Sequence, residues 1–277
     1  AKGLGKDAIQ FFDAPILSEF LQNVNIETKL KGAVFSENFT INFQPQYYVG
    51  SRKMRGVEAL IRWKDQDGKM ISPSVFIPIA EKNGTIVPIG NWVIEESIRI
   101  FASWKKKYKC DVVLSLNISA IQYMRDDFID SLLAIIKKYE VNPAELELEI
   151  TESVLIENFK EVTRKLHILR DYGIKISLDD FGTGYSSLSY LKGLPIDTLK
   201  IDKSFIDTII LDENTRVITE SIVFMVKKLG FETIAEGVET DEQFEYLKNI
   251  GCDCIQGYLL GKPVESEKIE ELLSHQL

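Results

Sequence analysis

Ile174-Lys175-Ile176-Ser177-Leu178-Asp179-Asp180 is a short alternating run that ends in two adjacent acids, and the glycine-rich segment Phe181-Gly182-Thr183-Gly184-Tyr185 follows at once. Alternation over so few residues fits a strand. The pattern repeats in both directions along the chain. Upstream, Gly56-Val57-Glu58-Ala59-Leu60-Ile61 carries Glu58, and Val112-Val113-Leu114-Ser115-Leu116-Asn117 ends on Asn117. Leu146-Glu147-Leu148-Glu149-Ile150 carries Glu149, with Glu152 just beyond. Downstream, Thr198-Leu199-Lys200-Ile201 carries Lys200, Glu232-Thr233-Ile234-Ala235 runs into Glu236, and Cys254-Ile255-Gln256 ends on Gln256. One acid at the end of a buried strand is commonplace. Acids on successive strand ends point to parallel strands whose C-terminal ends converge on a cation site, where a metal neutralises them.

Helical patterns fill the intervals. Residues 73–83 and 91–108 read as helices, the second with apolar Trp92, Ile94, Ile98, Phe101 and Trp104 among charges. Further helices are expected over 121–139, 158–171, around 187–192 and over 214–229, where Gly230 is a natural stop. Another opens at Thr240, with Gln243 completing a capping box. The strand within 39–46 departs from this rhythm. Only a turn around Val49-Gly50-Ser51 separates it from the Glu58 strand, too little chain for a crossover, so these two strands should be antiparallel. The expected fold is therefore α/β, a TIM-type (β/α)8 barrel with an antiparallel first strand. No Gly-x-Gly-x-x-Gly turn follows an early strand, which argues against a dinucleotide-binding sheet.

The 277 residues are 45% hydrophobic, enough for one barrel of about 250 residues. No membrane span is expected, and Ala1 to Gln10 lacks the apolar core of a signal peptide. A net charge of −9 argues against a broad grip on DNA. Cys110, Cys252 and Cys254 form no disulfide framework, which points to a reducing, cytoplasmic compartment. With only His167 and His275, an imidazole-built zinc or iron site is not expected; carboxylates with an amide oxygen select hard cations, Mg²⁺ or Mn²⁺. Adjacent Asp179 and Asp180 would repel without a cation, and one of them could bridge two ions about 3.5–4 Å apart. Such a pair activates a water and steadies charge on a phosphoryl group. Lys200, among the acids, would help bind the water or the phosphate.

These residues resemble the signature of the EAL family of cyclic-di-GMP phosphodiesterases, beginning with Glu58-Ala59-Leu60 and Ile61-Arg62-Trp63. The likeness runs from Gln44-Pro45-Gln46 to Gly257-Tyr258-Leu259 and Lys262-Pro263. It takes in Asn117-Ile118-Ser119, Glu149-Ile150-Thr151-Glu152, the run from Asp179 to Leu188, Lys200-Ile201-Asp202 and Ala235-Glu236-Gly237-Val238-Glu239. The resemblance implies a barrel enzyme that linearises cyclic-di-GMP to pGpG with two ions of Mg²⁺ or Mn²⁺. Glu58, Asn117, Glu149 and Asp179 would hold the first ion, with Asp179 bridging to a second that Asp180 also contacts. Glu236 would be a ligand of the second site or the general base. Lys200 would sit by the attacking water, Glu152 would anchor the loop after Asp180, and Glu239 would support Glu236. Gln44, Arg62 and Gln256 would contact the nucleotide. Ile61 is a mild hydrophobic departure, and no metal position is lost. Members that only bind cyclic-di-GMP or a protein partner would lack one of the acids or the loop sequence, so hydrolase is favoured over receptor.

Ala1-Lys2-Gly3-Leu4-Gly5-Lys6 followed by Ile9-Gln10-Phe11-Phe12 is similar to the last segment of a GGDEF domain. The expected organisation is a GGDEF tail over 1–15, a linker helix over 16–36 with Leu17, Phe20, Leu21 and Val24 on one face, and the EAL barrel over 37–277. Because the chain opens on Ala1 and not Met, it is expected to be a piece of a longer protein. That protein would have an upstream GGDEF-type or sensory region, and could be membrane-anchored. The family resemblance also implies a homodimer.

Overall fold

Leu146, Leu148 and Ile150 alternate with Glu147 and Glu149 along one strand, and all of them are buried. A strand covered on both faces belongs in a sheet with helices on one side and a closed interior on the other. The computed structural model describes residues 14–33, 35–152, 154, 159–182, 191 and 193–274. The chain divides into two compact units, residues 1–40 with 62–86 and residues 41–61 with 87–277. Its strands are β1 (Phe39–Tyr48), β2 (Met54–Lys64), β3 (Met70–Ile71), β4 (Val113–Asn117), β5 (Leu146–Thr151), β6 (Lys175–Phe181), β7 (Thr198–Ile201), β8 (Glu232–Glu236) and β9 (Cys254–Gln256). Its helices are α1 (Ala14–Lys31), α2 (Phe35–Asn38), α3 (Pro73–Asn83), α4 (Ile86–Tyr108), α5 (Ala120–Tyr123), α6 (Phe128–Tyr139), α7 (Phe159–Asp171), α8 (Lys203–Thr208), α9 (Glu213–Leu229), α10 (Asp241–Asn249) and α11 (Ser266–Ser274).

The larger unit is the barrel. β2, β4, β5, β6, β7, β8 and β9 pair in parallel in that order. β1 closes the ring, lying antiparallel to β9 with Gln46 opposite Gln256 and pairing also with β2. This is the inverted first strand anticipated from its short connection, where the Tyr48 N–H donates to the Lys53 carbonyl at 2.9 Å. Apolar strand residues such as Leu114, Leu116, Leu148 and Leu199 are fully buried, on the face opposite the polar interior.

Helix ends follow their local chemistry. The Asp212 carboxylate accepts from the Asn214 and Thr215 N–H groups at the start of α9, and Gly230 ends that helix in the left-handed region at φ 82°. Thr240 and Gln243 form the anticipated capping box on α10. The helix expected over 121–139 is instead two, α5 and α6. Lys165, on α7 and 3% exposed, donates to the carbonyls of Tyr123, Met124 and Arg125, capping the end of α5 and drawing the chain out of the helix. Of the helix expected around 187–192, only residue 191 is described.

In the smaller unit, Lys29 on α1 bonds Asp65 at 2.6 Å and Asp67 at 2.9 Å. Phe39 stacks on Trp63, and Phe76 meets the Trp63 ring edge to face with centroids 5.3 Å apart. The Asp65 carboxylate accepts from the Asp67 and Lys69 N–H groups and folds the chain back. β3 therefore pairs with the end of β2, a two-residue strand that the sequence reading did not anticipate. The stretch expected as a linker over 16–36 is helical as α1 only to Lys31, and Leu17, Leu21 and Val24 on it are exposed. The segment likened to a GGDEF tail lies almost wholly outside the described residues.

Candidate active site at the mouth of the barrel

Side chains alternate along a strand, so inward-facing residues recur every second position and form layers. The upper layer holds Gln44 on β1, Glu58 on β2, Asn117 on β4, Glu149 on β5, Asp179 on β6, Lys200 on β7, Glu236 on β8 and Gln256 on β9. The four acids among them meet on Lys200. Its ammonium lies 2.7 Å from Glu149, 2.7 Å from Glu236, 3.3 Å from Asp179 and 3.5 Å from Glu58, and the side chain is fully buried. Asn117 Nδ2 donates to Glu58 Oε1 at 2.6 Å, and Gln256 Nε2 donates to Glu58 Oε2 at 2.5 Å and to Gln44 Oε1 at 3.1 Å. A cavity of about 390 Å³ opens above them, lined by Gln44, Glu58, Asp179, Glu236, Gln256 and Tyr258 among others.

The electrostatics are unbalanced. Burial favours a neutral Lys200, but the charges of Asp179, Glu149, Glu236 and Glu58 outweigh it and hold the ammonium protonated. One cation does not satisfy four acids. Burial and repulsion from Glu58 push the Glu149 carboxyl well above the usual carboxylate range. Burial pushes Glu236 up to about 8; Lys200 opposes this, and Asp179 and Glu58 reinforce it. Burial also raises Glu58, but Lys200 and the hydrogen bonds from Gln256 and Asn117 prevail, leaving it below the usual value. Asp180 is raised by burial and by Asp179.

Among the described residues, no three acids close on a common point as metal ligands do; they close on the Lys200 ammonium. The donor set nevertheless fits a hard cation. Glu149 Oε1 is buried with no hydrogen-bond partner among the described residues, an atom that a cation would satisfy. The oxygens of Glu58, Asp179, Asp180 and Glu236 complete an all-oxygen set with surplus negative charge. Asp180 is held at φ 55°, in the left-handed region, with its N–H bonded to Asp179 Oδ1 at 2.8 Å. A non-glycine residue in that conformation is a strained position of the kind that clusters at functional sites.

The remaining anticipated residues stand apart from this cluster. Glu152 is buried just past β5, and the loop it was expected to anchor lies mostly outside the described residues. Glu239 bonds Lys203 at 2.8 Å. Arg62 belongs to the smaller unit. A second polar layer beneath the acids was missed. Arg55 forks onto Glu147 at 2.8 Å through two nitrogens and also reaches Glu232, Gln46 and Thr198. Part of it was legible, because Ser115, Glu147 and Thr198 sit two residues before Asn117, Glu149 and Lys200. Arg55 was not legible, since its odd spacing from Glu58 would place it on the outer face.

Comparison with known proteins agrees with the geometry. The EAL domain model matches residues 27–263. The chain belongs to the EAL domain family. Among curated relatives, this EAL domain is 39% identical over 276 residues to the signaling protein YkoW of Bacillus subtilis, covering 100% of the chain and 34% of that protein. It is 36% identical over 269 residues to the bifunctional diguanylate cyclase/cyclic di-GMP phosphodiesterase MucR of Pseudomonas aeruginosa, covering 97% of the chain and 39% of MucR. The EAL domain thus spans just over a third of the length of these relatives. Among solved structures, it superposes on the MucR phosphodiesterase in complex with c-di-GMP with a TM-score of 0.85 at 38% identity, covering 88% of this chain and 99% of that one. On the EAL enzyme Bd1971, bound to cAMP and cyclic-di-GMP, the TM-score is 0.88 at 31% identity, covering 92% of this chain and 69% of that one.

Proposed function

We propose that this EAL domain hydrolyses cyclic-di-GMP to linear pGpG with two divalent cations, Mg²⁺ or Mn²⁺, and so ends a second-messenger signal. The observation that carries the reading is the ring of Glu58, Glu149, Asp179 and Glu236 around Lys200, with a buried Glu149 oxygen that accepts no hydrogen bond among the described residues. Its support from relatives is the phosphodiesterase named in MucR and the c-di-GMP complex of that fold.

Glu58, Asn117, Glu149 and Asp179 would hold the first cation, and Asp179 with Asp180 the second. When bound, the cations would lower the pKa of a water and stabilise negative charge on the phosphate. Lys200, kept protonated by its acids, would orient that water and offset charge on the non-bridging oxygens. Glu236 would be either a ligand of the second ion or the base that receives the water's proton; a carboxyl raised to about 8 suits proton transfer near neutral pH. Gln44 and Gln256 line the cavity in which the nucleotide would lie, and Arg62 would face a phosphate. An upstream GGDEF-type or sensory region and a homodimer belong to the same proposal. Among the described residues no helix is long and apolar enough to cross a membrane.

Nucleotide chromatography after incubation with cyclic-di-GMP and Mg²⁺ or Mn²⁺ tests this, with Glu58→Ala as control. Appearance of pGpG that vanishes in the control is expected. Cyclic-di-GMP binding without product would make the domain a receptor, and neither binding nor product would refute the reading.

A further inference from the structure

Arg55, Gln46, Gln256 and Glu58 form a continuous line of buried hydrogen bonds, each residue 7% exposed or less. Arg55 Nη1 donates to Gln46 Oε1 at 2.9 Å, Gln46 Nε2 donates to Gln256 Oε1 at 2.9 Å, and Gln256 Nε2 donates to Glu58 Oε2 at 2.5 Å. The direction of this line is dictated at both ends. A guanidinium has donors only and does not lose its proton, whereas an ionised carboxylate only accepts. With the Gln46 oxygen turned to Arg55, its NH₂ must face Gln256, whose own NH₂ must then face Glu58 and Gln44. A reversed Gln256 would set its oxygen against the Gln44 oxygen at 3.1 Å and against the Glu58 carboxylate, and would aim its NH₂ at that of Gln46. Arg55 is itself locked by its fork onto Glu147 and by Glu232 at 2.7 Å.

We infer that Gln46 is a positioning residue: it fixes which way round the Gln256 amide sits and thereby the orientation of the Glu58 carboxylate. The polar layer under the acids is, in this account, the template for the Glu58 side of the site, with polarity passed from Arg55 through two amides. Chains of hydrogen bonds aligned in one sense strengthen each other, and a low-dielectric interior magnifies the penalty for a reversed member. The inference rests on the hydrolase reading for its effect on turnover. Its structural content stands without it.

The test is the side-chain amide signal of Gln256 in ¹⁵N-labelled, deuterated protein, assigned by its loss in Gln256→Met. In wild type this NH₂, bonded to a carboxylate and an amide oxygen, should be shifted downfield and slow to exchange. In Gln46→Met, which leaves Arg55 its bonds to Glu147, Glu232 and Thr198, the signal should move towards the free-amide position and exchange faster. Turnover of cyclic-di-GMP, measured as kcat/KM, should fall about tenfold. The same substitution made in Gln256→Met should produce no further fall. Gln46→Glu keeps the shape and the acceptor for Arg55 while removing the donor towards Gln256, and serves if the Met variant does not fold. An unmoved Gln256 signal in the folded variant overturns the inference, as does a kcat/KM loss that adds in full to that of Gln256→Met. A wild-type protein that does not cleave cyclic-di-GMP refutes the hydrolase reading alone, because the amide signal still decides the positioning role.

Discussion

Removing Arg55 should reveal how strongly the lower layer depends on one cation. Arg55→Met deletes hydrogen bonds to Glu232, Gln46, Thr198 and both oxygens of Glu147. Glu147, 0% exposed, would retain only the hydroxyls of Ser115 at 2.9 Å and Thr198 at 2.6 Å. A buried charge left by its partner costs about 3–5 kcal/mol. For a chain of this size that corresponds to a fall in Tm of roughly 5–9 °C. Arg55→Met/Glu147→Leu should recover most of the loss, since replacing both members of a buried pair by apolar groups is often neutral. The dependence on pH has a definite sign. In wild type, burial opposes ionisation of Glu147 but Arg55 prevails and lowers it from 4.5 to about 2, so the pair stabilises above 4.5 and its contribution fades as pH falls towards 2. Without Arg55, burial is opposed only by the hydroxyls of Ser115 and Thr198 and raises the carboxyl, so the variant is penalised increasingly as pH climbs through 4.5 to neutrality. Urea unfolding at pH 4 and pH 7 should show a wild-type-to-variant gap that is wider at pH 7. A single variant losing under about 1 kcal/mol, or a double variant losing the sum of the singles, would refute the argument.

Three further outcomes follow from the site and its surroundings. Mn²⁺ or Mg²⁺ should raise the Tm of the wild-type domain, because cation binding relieves repulsion among the acids, and Asp179→Asn should abolish most of that rise; an equal shift in both by calorimetry would contradict the assigned ligands. Gly237→Ala should destabilise by about 1–3 kcal/mol in denaturant titration, since Gly237 sits at φ 71° and an added Cβ would lie 2.3 Å from the Lys203 stem; a neutral effect would show that the turn after Glu236 is soft. Lys165→Met should cost about 2–3 kcal/mol by thermal or urea unfolding, because three carbonyls at the end of α5 lose their charged donor; unchanged stability would mean that water replaces it.

Sequence alone determined the eight strands of the barrel, their order of acids and the inverted start, though not the two-residue β3. These are local matters: a period of two is visible within Leu146–Thr151, a capping box within four residues at Thr240, and a connection too short for a helix between Tyr48 and Lys53. Acids at consecutive strand ends also called for a compensating positive charge at their centre, because burying them otherwise is prohibitive. The tertiary structure decided which groups answer one another. The sequence places Lys200 on the strand ends beside the acids, but only closure of the ring brings Glu58, Glu149, Asp179 and Glu236 around its ammonium. Arg55 meets Glu147 across 92 residues and Glu232 across 177, from a position whose parity would turn it outward. The break between α5 and α6 depends likewise on Lys165, 40 residues beyond Arg125. Periodicity records which face a side chain takes, but a hydrogen-bond partner on another strand is fixed by barrel closure and register, which no short stretch of sequence contains.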